Sequence, residues 1–266
     1  MAIKLGCIGC GNMGGAILGG LAAAGGFELC AYTRTRKRMD PLVAAGVRPL
    51  KDARAVARAS SYVVLAVKPY QIVDVLEGMA PALGAGTVVI SIAAGTSLAT
   101  LKEASGGACP VVRCMPNTPA LVASGVFAFC FEDPRLTEAQ KKEILGIFGH
   151  LGLCLELPER QFTPFASLIG AGPAYLFDLM EGMVQAGVAL GFPHADCRRM
   201  VAALFEGCGR MALRQEGTHL MALRDNVCSP AGTTIAGVNR MDADGLAGKL
   251  AQAVFAANDR GLEMEN

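Results

Sequence analysis

Gly9, Gly11 and Gly14 stand in the pattern G-x-G-x-x-G, written here Gly9-Cys10-Gly11-Asn12-Met13-Gly14. Glycines at these three places suit a chain that must turn tightly, let its backbone approach a pyrophosphate, and pack a helix closely against a strand. An apolar β-type run, residues 3–8, precedes the pattern, and a helical run, residues 13–24, follows it before Gly25-Gly26. That is the context a dinucleotide fingerprint needs. Asn12 and Met13 then open a helix whose first N–H groups point at phosphates. A dinucleotide site built for NAD usually carries an acid at the end of the next strand, for the ribose 2′-OH. Here that end reads Tyr32-Thr33-Arg34-Thr35-Arg36-Lys37-Arg38, and no acid occurs from Leu29 to Met39. Thr33 and Arg34 instead suit a 2′-phosphate through charge-assisted hydrogen bonds. NADPH is therefore the expected cofactor, with NADH as a second donor.

Other chemistry-bearing types lead nowhere so specific. Cys7 and Cys10 form a C-x-x-C, but both lie inside the strand and glycine loop just described. His150, His194 and His219 are scattered, and none has ligand spacing with cysteine, so no metal is expected. No G-x-S-x-G elbow is present to carry a nucleophile.

Alternating elements must position the glycine loop. Apolar runs at 3–8, 29–33, 61–67, 87–92, 110–115, 126–131 and 153–157 read as strands. Helical runs at 13–24, 71–79, from 97, and 137–149 separate several of them, with Thr137 as an N-cap. This alternation implies an α/β fold, a Rossmann-type doubly wound parallel sheet. Three segments then fall at C-terminal strand ends, where such sheets bind ligands. They are Val67-Lys68-Pro69, Ser91-Ile92-Ala93-Ala94-Gly95, and Arg113-Cys114-Met115-Pro116-Asn117-Thr118-Pro119-Ala120. After Pro158 the β-type alternation stops. Helices are expected at 165–190, broken or kinked at Pro173, and at 195–214, 220–225, 233–241 and 246–263. The expected domains are 1–160, dinucleotide-binding, and 161–266, all helical.

The chain has 266 residues and a net charge of +1. This balance speaks against a nucleic-acid partner, which calls for a basic excess or patch. Residues 5–27 carry no charge, long enough for a membrane span, but nine of the 23 are glycine. They read as strand, loop and helix, with no signal sequence, and the chain as cytoplasmic with no membrane partner. Apolar residues reach 52% and charged residues only 18%, against a usual charged share of about 25%. The run 165–190 is apolar on nearly all sides and must be covered. A homo-oligomer made through the helical half is expected.

One more segment, Asp225-Asn226-Val227-Cys228-Ser229-Pro230-Ala231-Gly232-Thr233-Thr234, interrupts the helices. Together with Gly9–Gly14, the M-P-N-T-P-A segment and Gly170-Ala171-Gly172-Pro173-Ala174-Tyr175, it resembles the pyrroline-5-carboxylate reductases, in order and over nearly the whole chain. The resemblance implies hydride transfer from NAD(P)H to the C=N bond of 1-pyrroline-5-carboxylate, the last step of proline biosynthesis. It implies that Ser229, Gly232, Thr233 and Thr234 bind the substrate, with Thr234 catalytic at the ring nitrogen. The Gly232 and Thr233 amides would face the substrate carboxylate. Val67, Lys68, Pro69, Ala93, Ala94, Gly95, Met115, Pro116 and Asn117 would line the nicotinamide and ribose side. It further implies a homodimer through the helical domain, in some members a decamer of five dimers, with the substrate loop near both subunits.

The chain departs from the family pattern at four places. Ala231 stands where glycine is frequent, which requires a negative φ there. Ile169 and Ala171 stand where the family carries serines, and Ala53 where it carries an asparagine. These departures keep two alternatives open: a reductase of another cyclic imino acid or a keto acid, and a non-catalytic dinucleotide-binding regulator.

Overall fold

Short runs of Val, Ile and Leu, buried on both faces, build the sheet of the first half. The computed structural model describes residues 2–265. It places in order β1 (Ile3–Ile8), α1 (Asn12–Ala24), β2 (Phe27–Tyr32), α2 (Asp40–Ala44), β3 (Arg48–Pro49), α3 (Ala53–Ala59), β4 (Tyr62–Leu65), α4 (Ile72–Met79), β5 (Val88–Ser91), α5 (Leu98–Ala104), β6 (Val111–Met115), β7 (Gly125–Cys130), α6 (Glu138–Gly149), β8 (Gly152–Glu156) and α7 (Phe162–Phe165). The sheet order is β3-β2-β1-β4-β5-β6-β7-β8. Every residue of β4 and β5 is buried, as parallel strands covered on both faces require. Side chains alternate between two cores. Val64 and Ile90 join Leu5, Ile17 and Phe129 on one face, while Val63 and Val89 join Ile8, Leu76 and Leu101 on the other.

The sheet is parallel at every pairing except β6 with β7, which is antiparallel. The all-parallel expectation needs this correction. The connection between these two strands, residues 116–124 with one short helical turn at Thr118–Val122, is too short for the crossover a parallel pair requires. The edge strand β3 and the short helices α2 and α3 were not expected from the sequence. With two, five and seven residues they are too short to carry a period. Thr137 caps α6 as expected, its hydroxyl accepting from the Gln140 amide at 3.2 Å, and Gly25 and Gly26 end α1 at positive φ.

The second half holds α8 (Gly172–Ala189), α9 (His194–Arg214), α10 (Leu220–Asp225), α11 (Thr233–Ala243) and α12 (Leu246–Glu265). Residues 166–170 form a π-turn, closed by the Ala171 amide on the Ala166 carbonyl at 2.8 Å. This turn and the start of α8 at Gly172-Pro173 make the break expected near Pro173. The chain divides into two compact units, residues 2–171 with 260–265, and residues 172–259. The division thus sits later than the boundary read from sequence at 160/161. Phe162 and Phe165 explain the difference, because both are buried in the sheet's second core.

Within the second unit the buried core is small: Val184, Cys197 and Val201, backed by Met180 and Phe205. Only Val184 is buried along the whole of α8. Phe177 is 64% exposed and Leu213 66%. Among the described residues, no helix is long and apolar enough to cross a membrane.

Candidate functional site

The glycine loop is held by backbone bonds to its neighbours. The Gly9 amide donates to the Tyr32 carbonyl at 2.8 Å, and the Ala66 amide to the Ile8 carbonyl at 2.8 Å. The loop is thereby tied to the end of β2, which carries Thr33 and Arg34, and to the end of β4, which carries Val67 to Pro69. Gly9 has φ +99, and a Cβ there would lie 2.6 Å from the Ala66 carbonyl oxygen. A Cβ on Gly14 would strike the Gly9 carbonyl oxygen. Both glycines answer to close backbone approach. Gly11 is the N-cap of α1 and offers no side-chain cap. The first helical bond is from the Gly15 amide to the Gly11 carbonyl, at 2.8 Å. The amides of Asn12, Met13 and Gly14 therefore have no acceptor within the helix. Arg34, Arg36, Lys37 and Arg38 are all exposed, and Arg38 Nη1 lies 3.4 Å from where a Gly11 Cβ would stand. A bare helix N-terminus with the Arg38 guanidinium beside it fits a dinucleotide phosphate, and the residues present fit NAD(P)H.

Three strand ends form the rest of this rim. Lys68 and Pro69 are exposed, and the Lys68 amide donates to Gln71 Oε1 at 3.4 Å. Ala93 is buried, whereas Ala94 and Gly95 are exposed. Met115 is half-buried and Pro116 buried. The Asn117 side chain also anchors this loop. It is buried and turned inward. Oδ1 accepts from the Val126 amide at 2.9 Å, and Nδ2 donates to the Ile169 carbonyl at 3.3 Å. Both ends of the amide are engaged in holding the loop. The Met115 methyl lies 3.3 Å from where a Gly170 Cβ would stand, so the π-turn packs against this loop. Ile169 packs against the sheet's second core. The serine-to-isoleucine departure is thus absorbed in packing.

Sequence reasoning missed Glu159. Its Oε1 accepts from the Leu98 amide and from Arg113 Nη1, both at 2.6 Å. The Arg113 guanidinium carbon stands 4.7 Å from the centre of the Phe162 ring. Gly95, Ser97, Arg113, Glu159 and Arg160 line a cleft of about 270 Å³. Partners 46 and 61 positions away along the chain leave no local pattern to find.

In the second unit, Ser229 to Thr234 make a turn that feeds directly into α11. The Gly232 amide donates to the Ser229 carbonyl at 3.0 Å. It is therefore spent within the turn, and the expectation that it faces a substrate carboxylate is corrected. A Cβ on Gly232 would strike the Ser229 hydroxyl. Ala231 has φ +55, against the negative φ expected. The turn reverses the chain into the helix by a left-handed residue, and alanine takes that conformation at a cost of roughly 1–2 kcal/mol. Gly232 caps α11 without a side chain, and the Ala236 amide donates to its carbonyl at 3.4 Å. The amides of Thr233, Thr234 and Ile235 thus have no helical acceptor. Ser229, Thr233 and Thr234 are exposed in the single chain.

Residues 159–264 match the family described as pyrroline-5-carboxylate reductase dimerisation, and residues 4–95 match one described as NADP oxidoreductase, coenzyme F420-dependent. The chain is 35% identical to a pyrroline-5-carboxylate reductase of Escherichia coli (strain K12), over 96% of this chain and 95% of that one. It is 34% identical to the enzyme of that name from Corynebacterium melassecola, over 97% of both. Among solved structures it resembles a pyrroline-5-carboxylate reductase from Coxiella burnetii, with TM-score 0.92, 32% identity and the whole of both chains covered. A Plasmodium falciparum pyrroline carboxylate reductase with NADP bound gives TM-score 0.87 at 29% identity, over 99% of this chain and 98% of that one.

Proposed function

This chain belongs to the pyrroline-5-carboxylate reductase family, and from that premise we propose how its own residues carry the reaction. It is an NAD(P)H-dependent oxidoreductase that reduces the C=N bond of 1-pyrroline-5-carboxylate to give proline. Bound NAD(P)H supplies the hydride that reaches the imine carbon. The observation that carries this reading is 35% identity to a relative over 96% of this chain, joined to an intact glycine loop at the N-terminus of α1.

The amides of Asn12, Met13 and Gly14 hold the pyrophosphate, while Thr33 and Arg34 hold the 2′-phosphate of NADPH. The segments at Val67–Pro69, Ala93–Gly95 and Met115–Asn117 shape the nicotinamide and ribose side. In the helical half, the amides of Thr233 and Thr234 meet the substrate carboxylate at the N-terminus of α11, where the helix dipole favours an anion. Ser229 sits beside them. The Thr234 hydroxyl both donates and accepts, and is too weak an acid to protonate an imine unaided. Thr234 Oγ1 therefore accepts from the protonated ring nitrogen and fixes the imine for attack.

The protein works as a homodimer made through residues 159–264 and, by the same family reading, assembles up to five such dimers. It acts in the cytoplasm. The test of the site is Thr234→Ala. Turnover is expected to fall about a hundredfold, as when one preorganised hydrogen-bonding group is removed, with NADPH binding unchanged. Normal turnover would remove Thr234 from the mechanism.

A further inference from the structure

We propose that Glu159 is a positioning residue for the nicotinamide rim, acting through Arg113 and the start of α5. The inference rests on the reading that Ala93–Gly95 and Met115–Asn117 face the nicotinamide half of the cofactor.

The loop from Ala93 to Ser97 has few polar anchors. At its start the Ala93 amide donates to Ser91 Oγ at a long 3.4 Å. Gly95 in its middle has φ +74 and is exposed. At its end the Leu98 amide donates to Glu159 Oε1 at 2.6 Å, a far shorter bond. The same oxygen accepts from Arg113 Nη1 at 2.6 Å. Arg113 lies on β6, two residues before Met115, and only 10% of its side chain is exposed. A buried guanidinium needs its counter-ion. One carboxylate oxygen thus ties the end of the first rim loop to the strand that delivers the second. Phe162 closes the arrangement beneath the guanidinium. A shift of Glu159 moves the two rim segments relative to each other.

The adenosine end of the cofactor site uses other residues, the glycine loop and Arg34, which lie at β1 and β2. Loss of the Glu159 carboxylate should therefore loosen one half of the dinucleotide and spare the other. The experiment compares NADPH with adenosine 2′,5′-bisphosphate, which lacks the nicotinamide half, by calorimetry on the folded protein. In Glu159→Gln the amide oxygen still receives the Leu98 N–H, but Arg113 loses its charge partner. NADPH affinity and kcat are each expected to fall roughly tenfold, short of the roughly hundredfold that a misplacement of about 1 Å can cost. Adenosine 2′,5′-bisphosphate should bind as before.

If Glu159→Gln does not fold, the double variant Arg113→Met with Glu159→Gln leaves no unpaired buried charge and should show the same selective loss. Equal weakening of both ligands, or of neither, would overturn the inference. Failure of the unaltered protein to bind either ligand would instead overturn the cofactor reading, and this inference with it.

Discussion

Arg34 and Ala231 each carry a consequence that a single substitution can expose. Arg34 is exposed at the end of β2, with no acid among its neighbours from Leu29 to Met39. A hydrogen bond to a charged group contributes about 1.5–3 kcal/mol, so Arg34→Glu should raise KM for NADPH by at least roughly tenfold and leave KM for NADH nearly unchanged. Wild-type kinetics with NADH as efficient as with NADPH would contradict the assignment. Ala231 holds φ +55 in the turn before α11. Ala231→Gly relieves roughly 1–2 kcal/mol of left-handed strain and returns about 0.4–1 kcal/mol to the unfolded chain's entropy. The net expectation is a gain of between zero and roughly 1.5 kcal/mol in denaturant unfolding; a loss would mean that the turn is unstrained. The glycine loop is legible because its residue types recur at fixed local spacing, whereas the Ser229–Thr234 turn is singled out only by the family resemblance. Glu159 and the inward turn of Asn117 are not legible, because their partners, Arg113 and Leu98 for one and Ile169 for the other, are brought near only by the folded sheet.

Strand and helix placement followed from period and punctuation, and failed where elements were short. The seven longer strands were each legible as an apolar run. The antiparallel pairing of β6 with β7 was not, because a run of apolar residues carries no direction. That hairpin has its own clasp. Asp133 follows β7, and its carboxylate accepts from the Val111 amide at 3.0 Å and from Arg135 Nη2 at 2.8 Å. Arg135 Nη1 in turn donates to the Gly107 carbonyl at 2.8 Å, closing the turn before β6. Burial alone would raise the Asp133 carboxyl. Hydrogen bonds from Arg135 and from the Val111 and Arg135 amides outweigh it and hold the group at about 2, against an ordinary 3.8. A lowered folded value means that the clasp stabilises fully above the ordinary value and is lost as pH falls from about 4 to about 2. Its contribution at neutral pH is about 2 kcal/mol. Asp133→Asn should therefore lower stability at pH 7 by that order and converge with the wild type near pH 2. A stability gap unchanged down to pH 2 would show that the carboxylate's charge is not what matters.

At the scale of the molecule, an apolar, charge-poor composition meets two compact units of different character. The first buries its apolar residues in two cores across one sheet. The second leaves Phe177, Leu213 and Phe255 largely exposed and has a core of three residues, within the stretch that matches a dimerisation family. The excess of apolar residues legible in the sequence is thus divided between a sheet covered on both faces and helices that a second copy must cover. Ile169, one of the departures from the family pattern, is partly buried and packs against the first unit's second core. The decisive measurement is NADPH oxidation by the purified protein with 1-pyrroline-5-carboxylate, run beside the six-membered cyclic imine carboxylate. The account predicts rapid NADPH loss matched by proline formation with the five-membered substrate, and a much smaller rate with the six-membered one. Turnover of only the six-membered imine, or of neither, would contradict it.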